Sequence, residues 1–180
     1  VEADDKIWII SRARLPWLLL GLLGGIASAQ VIGLNENAIK LYPEMAYFIP
    51  LIAAMGGNAG VQASAIVVQG LANKTLKTNK VWRRLVKEFA VSLVNGLLCA
   101  LVLLAYGLAF AGSFEISLTI SLALLVVIIL ASLLGLSIPL LLNKFSIDPA
   151  LATGPFITTT NDLIGLGVYF SIGRLMYTLL

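Results

Sequence analysis

Long apolar segments separated by short polar connections dominate the hydrophobicity pattern of the chain. Five such segments are present, at about residues 15–34, 45–72, 89–111, 116–142 and 150–173. Each is long enough for an α-helix to cross the hydrocarbon core of a bilayer, which takes about 20 residues. Runs such as ISLALLVVIILASLLGL lack the alternation of apolar and polar residues that is typical of a membrane β-strand. The pattern therefore predicts an all-α integral membrane protein with five transmembrane helices.

The composition supports a membrane protein, because 59% of the residues are hydrophobic and 12% are charged, unlike a soluble domain. The predicted spans use most of the 180 residues, so we expect one membrane domain over residues 1–180. The sequence begins VEADDK, without an initiator methionine or the pattern of a signal peptide, which indicates a fragment of a longer protein. The single cysteine, Cys99, lies in an apolar run, so we expect neither a disulfide framework nor a thiolate metal site.

Lysine and arginine are distributed unequally between the two sides that five spans would create. One side has Lys40 and Arg174, and the other has Lys6, Arg12, Arg14, Lys74, Lys77, Lys80, Arg83, Arg84, Lys87 and Lys144. The positive-inside rule then predicts a multi-pass protein of the cell membrane, with its N-terminus in the cytoplasm and its C-terminus outside. The basic stretch 74–87 has a topological role in this interpretation, so the lipid bilayer is an expected partner and nucleic acid is not.

A carboxylate lies deep in the last predicted span. Asp162 is about 13 residues beyond Pro149, which at roughly 1.5 Å per residue brings it close to the bilayer centre. A charged aspartate at that depth costs about 2.5–3.5 kcal/mol on insertion scales, so it should face the interior of a bundle or a water-filled cavity. The alternative is a structural aspartate that is hydrogen-bonded to a neighbouring helix.

The residues before Asp162 favour a cation site over that alternative. Pro155 cannot donate to the carbonyl of Leu151, and the run Thr158, Thr159, Thr160 and Asn161 supplies hydroxyl and amide oxygens beside the freed backbone. Oxygen ligands around a carboxylate, without histidine, suit a hard cation such as Mg²⁺ or Ca²⁺. A protease is not expected, since the chain has one deep carboxylate and no histidine.

The stretch GGNAGVQ, residues 56–62, interrupts the second apolar segment at a similar depth. Gly56 and Gly57 allow the backbone either to approach another helix closely or to unwind, and Asn58 offers an amide oxygen. The alternative is helix packing, because Gly56 and Gly60 form a pair of small residues four apart. We expect both roles, since packing alone does not require Asn58 or Gln62, which lies one turn further on.

The chain contains two longer motifs, PLIAAMGGNAGVQAS at 50–64 and IDPALATGPFITTTNDLIG at 147–165. Together they resemble the signature regions of the MgtE family of magnesium channels and transporters. The resemblance implies a homodimer with a pore on its twofold axis, lined by the second and fifth helices. It implies that Asp162 of both protomers binds Mg²⁺, and that Asn58, Gly154 and the carbonyl near Thr158 line the path. Family members commonly carry cytoplasmic regulatory domains, which are absent from this sequence, so we expect the fragment to lack normal gating.

The function that follows is transport of hydrated Mg²⁺ through a dimeric pore, with Mg²⁺ as the transported ion. The predicted ligands are Asp162, Thr158, Asn58 and Gly154, and the predicted pore-lining or helix-breaking residues are Gly56, Gly57, Pro155, Thr159 and Asn161. Two alternatives stay open, a divalent-cation exchanger coupled to Na⁺ or H⁺ and a structural membrane subunit. Mn²⁺ and Co²⁺ fit the same ligands as Mg²⁺.

Overall fold

A computed structural model describes residues 6–73, 81–110, 113–146 and 154–179. These residues form six helices: α1 (Ile7–Leu34), α2 (Glu36–Leu41), α3 (Glu44–Ala72), α4 (Val81–Phe110), α5 (Phe114–Lys144) and α6 (Pro155–Leu179). The described residues contain no β-strand, which confirms the all-α prediction for this part of the chain.

Four of the described helices, α1, α3, α4 and α5, are long and apolar enough to cross a membrane. Helix α6 has 25 residues, which correspond to roughly 37 Å and are enough to span the hydrocarbon core. Its polar run 158–162 and Arg174 lower its hydropathy, so composition does not identify it as a span. Of the five predicted spans, four are therefore supported by the length and composition of a described helix.

The ends of the helices follow from local sequence. Helix α5 begins after Ser113, whose hydroxyl oxygen accepts a hydrogen bond from the backbone N–H of Ile116 at 3.4 Å. Helix α6 begins at Pro155, because a residue without a backbone N–H and with a fixed φ suits the first helical position. Pro155 thus starts the described helix, and residues 150–153, where the sequence predicts the beginning of this span, lie outside the described residues. Asp148 and Pro149 lie outside the described residues.

Helix α5 is the centre of the bundle and packs against α3, α4 and α6. The buried core between these helices includes Ile52, Ile120, Val127, Tyr169 and Phe170. Helix α1 packs mainly on α6 and is exposed along most of its length, as expected for a helix that faces lipid. Three hydroxyl groups within α5 donate to the carbonyl four residues earlier, so these polar side chains are satisfied inside their own helix.

Two glycines bring α3 and α5 into backbone contact. A Cβ atom on Gly135 would collide with the main-chain carbonyl of Gly60, and a Cβ atom on Gly60 would collide with the side chain of Asn161. Gly60 therefore allows α5 and α6 to approach α3 together, which is the packing role that the small-residue spacing predicts. This close approach fixes the relative position of the two helices that carry the candidate ligands.

Candidate cation site between helices α3 and α6

Helix α3 runs unbroken through the GGNAGVQ stretch. A Cβ atom on Gly56 would lie 3.1 Å from Val127 of α5, and one on Gly57 would lie 3.7 Å from the methyl group of Thr158 on α6. Of the two roles considered for these glycines, the structure shows close approach and no unwinding. Asn58, the next residue, is exposed and lines a groove.

This groove lies between α3 and α6 and has a volume of about 380 Å³. Its apolar and glycine lining comes from Ala53, Ala54, Gly57 and Val61, and its polar lining from Asn58, Gln62, Thr158 and Asp162. The polar residues are spaced four apart on each helix, so each pair lies on one helical face. The sequence spacing therefore brings two amides, a hydroxyl and a carboxylate to a common surface.

The Thr158 hydroxyl is oriented by the start of α6. It donates to the carbonyls of Gly154 and Pro155, at 3.2 Å each, which leaves its oxygen lone pairs free to accept a hydrogen bond or bind a cation. Gly154 has a φ of +101°, and its carbonyl also accepts the Thr158 N–H at 3.1 Å. The structure thus gives Gly154 a role in beginning the helix, and Gly154 is not part of the groove lining.

Asp162 is half-buried and makes no hydrogen bond or ion pair with another described residue. The alternative of a structural aspartate bonded to a neighbouring helix is therefore not supported by the described contacts. A single carboxylate remains in the groove without a compensating positive charge. Among the described residues no group of three or more histidine, cysteine or acidic side chains could hold a bare metal ion.

The donor set fits a hard cation that keeps most of its water. One carboxylate, two amide oxygens and one hydroxyl are oxygen donors of the kind that Mg²⁺ prefers, and Mg²⁺ usually retains several waters in protein sites. The groove volume of about 380 Å³ leaves room for an ion together with several waters. The arrangement can therefore attract a hydrated divalent cation, and its oxygen atoms can accept hydrogen bonds from the waters bound to that cation.

Two residues that the sequence analysis assigned to the pore lie on other faces of α6. Thr159 packs against Gly24 of α1, at a position where α1 has no room for a side chain. Asn161 is 2% exposed and lies against Gly60 of α3. Consecutive residues of an α-helix point about 100° apart, so the run 158–162 cannot all face one groove.

Gln62 is the groove residue that the predicted ligand set omits. It is exposed and lines the groove one helical turn beyond Asn58. The signal that identifies it is the four-residue spacing from Asn58, which repeats in the spacing of Thr158 and Asp162. Residues four apart lie on one face only in a continuous helix, so this spacing identifies Gln62 because α3 is unbroken here.

Comparison with known proteins shows the family of the chain. A family model named MgtE and described as a divalent cation transporter matches residues 49–172, a range that includes both sides of the groove. The chain belongs to the MgtE family. This confirms the resemblance of its two motifs to that family.

Three proteins named magnesium transporter MgtE are similar to this MgtE-family chain. Those of Bacillus subtilis, Enterococcus faecalis and Thermus thermophilus are 33%, 36% and 30% identical to it, over 96%, 97% and 94% of the chain. The chain spans 38%, 38% and 37% of the length of these relatives. The family match and the long apolar helices together identify a multi-pass membrane chain of a transporter family.

Proposed function

We propose that this chain forms the ion path of a magnesium transporter, with Asp162 as the central ligand. The observation that carries the proposal is the uncompensated carboxylate in a groove that also presents Asn58, Gln62 and Thr158. The names of the three relatives support Mg²⁺ as the ion. Water retention by Mg²⁺ supports binding through the hydration shell, with amide and hydroxyl oxygens accepting hydrogen bonds from the bound waters.

In this proposal α6 is the fifth transmembrane span. Its length suffices, and it packs along α3 and α5, both of which are apolar enough to cross the membrane. The positive-inside rule supports a cytoplasmic N-terminus and an outer C-terminus. Asp162, the eighth residue of α6, then lies roughly 10 Å from the start of the helix, inside the membrane, where a charged group is tolerated if it faces water or protein.

The functional unit in this proposal is a homodimer whose two grooves face each other across a twofold axis. One Asp162 carries one negative charge, whereas the ion carries two positive charges. A second copy would supply the second carboxylate and would keep the exposed amides of Asn58 and Gln62 away from lipid, where unpaired polar groups are costly. Closed twofold dimers are the commonest symmetric assemblies of proteins.

The membrane potential would drive Mg²⁺ inward through such a pore. Each elementary charge gains about 2.3 kcal/mol per 100 mV, so a divalent ion gains about 4.6 kcal/mol. The test is Mg²⁺ uptake by liposomes that contain the full-length protein of which this chain is a part. An imposed potential without Na⁺ or proton gradients should drive uptake. Uptake that requires one of those gradients would indicate an exchanger, and no uptake under any gradient would favour a structural subunit.

Chemical cross-linking tests the dimer. With Cys99 replaced by alanine, a cysteine introduced at Ala54, in the groove, should be joined to the partner copy by a short bifunctional thiol reagent. A cysteine introduced at Ala90, which is exposed on α4 and outside the groove lining, is the matched control. A monomer after treatment of the groove variant would contradict the facing arrangement.

A further inference from the structure

A second groove lies on the other side of Asn58 and Gln62. Helices α3 and α4 both pack on α5 and leave a groove between them, with a volume of about 470 Å³. Its polar lining consists of Asn58 and Gln62 of α3, Glu88, Ser92 and Asn95 of α4, and Ser132 of α5. Asn58 and Gln62 therefore border both grooves, and they separate Asp162 from Glu88.

The α3–α4 groove changes polarity along its length. Towards the start of α3 and the end of α4 its lining is almost entirely apolar, and includes Phe48, Leu51 and Val102. Towards the end of α3 and the start of α4 it carries the polar side chains, with Glu88 nearest that end. The positive-inside rule assigns this polar end to the cytoplasmic side. The apolar half suits lipid, whereas the polar half requires water, an ion or a protein partner.

The described residues do not supply hydrogen-bond partners for most polar side chains of this half. Glu88, Asn95 and Gln62 make no hydrogen bond or ion pair with another described residue, although Arg84 lies one turn from Glu88. Ser92 donates to the carbonyl of Phe89 at 3.0 Å, which leaves its oxygen free to accept. Unpaired polar groups in hydrocarbon cost several kcal/mol each, so lipid is a poor occupant of this half.

We propose that the polar half of the α3–α4 groove is a water-filled vestibule that holds a second hydrated divalent cation at Glu88. Gln62, Ser92 and Asn95 supply uncharged oxygens to its hydration shell, as Asn58 and Thr158 do at the central site. On its way between Asp162 and Glu88 the cation passes Gln62, so Glu88 is the cytoplasmic end of the ion path. This inference rests on the proposed function, and it adds a site and a route.

Thiol accessibility tests the vestibule without relying on transport. The full-length protein, with Cys99→Ala and without other cysteines, receives Val91→Cys, at a groove position without a ligand role, and is treated with a charged, membrane-impermeant methanethiosulfonate from the cytoplasmic side. We expect modification. Mg²⁺ at about ten times its Kd should slow the modification roughly tenfold, because the site is then occupied most of the time. Absence of modification would mean that lipid or a partner subunit fills the groove, and would overturn the proposal.

The carboxylate is tested in the same background. Glu88→Gln should abolish the protection by Mg²⁺, whereas Glu115→Gln, an exposed carboxylate at the opposite end of the bundle, should preserve it. Protection that persists in Glu88→Gln would overturn the cation site at Glu88. Asp162→Asn should remove flux and keep the protection. An unchanged flux in Asp162→Asn would refute the role of Asp162 as the central ligand of the proposed function. The thiol modification would still show whether the vestibule is water-filled and binds a cation.

Discussion

The Tyr169 hydroxyl of α6 donates a 2.9 Å hydrogen bond to the main-chain carbonyl of Met45 in α3. Both residues are buried, and the bond joins the two helices that form the candidate cation site. Tyr169 lies seven residues after Asp162, which is about two helical turns and therefore close to the same face. A fixed Tyr169 thus restricts the rotation of α6 that would turn Asp162 away from Asn58.

Tyr169→Phe should lower stability and weaken transport. The variant removes a buried hydrogen bond and keeps the ring, so we expect a loss of about 0.5–1.5 kcal/mol in the free energy of unfolding. Thermal unfolding in detergent and Mg²⁺ uptake by liposomes are the measurements. Tyr106→Phe changes an exposed tyrosine on α4 and is the control. Equal melting temperatures for the two variants would show that the bond to Met45 has no stabilising role.

Gly135→Ala should be strongly destabilising. The added methyl group meets the rigid backbone of Gly60, and overpacking of this kind costs about 1–3 kcal/mol. Gly25→Ala is the matched control, because no atom lies within 4 Å of a Cβ at that position. The yield and melting temperature of the purified protein compare the two variants. A Gly135→Ala protein as stable as the control would contradict the backbone contact between α3 and α5.

Thr158 and Thr159 offer a test of which face of α6 lines the path. Thr158→Val removes a groove oxygen while keeping the side-chain shape, so Mg²⁺ uptake should fall. Thr159→Val keeps the packing against Gly24 and changes no groove atom, so uptake should stay close to that of the wild type. The initial uptake rate of each variant in liposomes is the measurement. The reverse order of effects would mean that α6 is rotated relative to its described orientation.

Hydrophobicity and spacing predict much of the fold and part of the site. Apolar segments identify the long helices, because the need to bury backbone polar groups in lipid leaves helices as the structure for such runs. The last helix is less evident from hydropathy, since Asp162 and its polar neighbours lower its apolar character. Sequence identified Asp162, Thr158 and Asn58, which the structure brings to one groove.

The remaining parts of the site depend on helix orientation. Thr159 and Asn161 are next to groove-lining residues in sequence, yet their side chains lie against Gly24 of α1 and Gly60 of α3. The α3–α4 groove arises because α3 and α4 share α5 as a packing partner, and nothing in the spacing of either helix alone predicts it. Such features follow from packing between distant segments, which a residue pattern within one segment does not contain.

The most direct test of the central claim is the Mg²⁺ uptake rate of Asp162→Asn beside wild type and Ser171→Ala, in liposomes under an imposed potential. Ser171 is exposed on the same helix and bonds the carbonyl of Gly167 in its own helix, so its variant controls for expression and insertion. Hydrogen bonds to charged groups contribute about 1.5–3 kcal/mol, so loss of the carboxylate should lower uptake at least about tenfold. Uptake by Asp162→Asn that equals that of Ser171→Ala would contradict a role for Asp162 in the ion path.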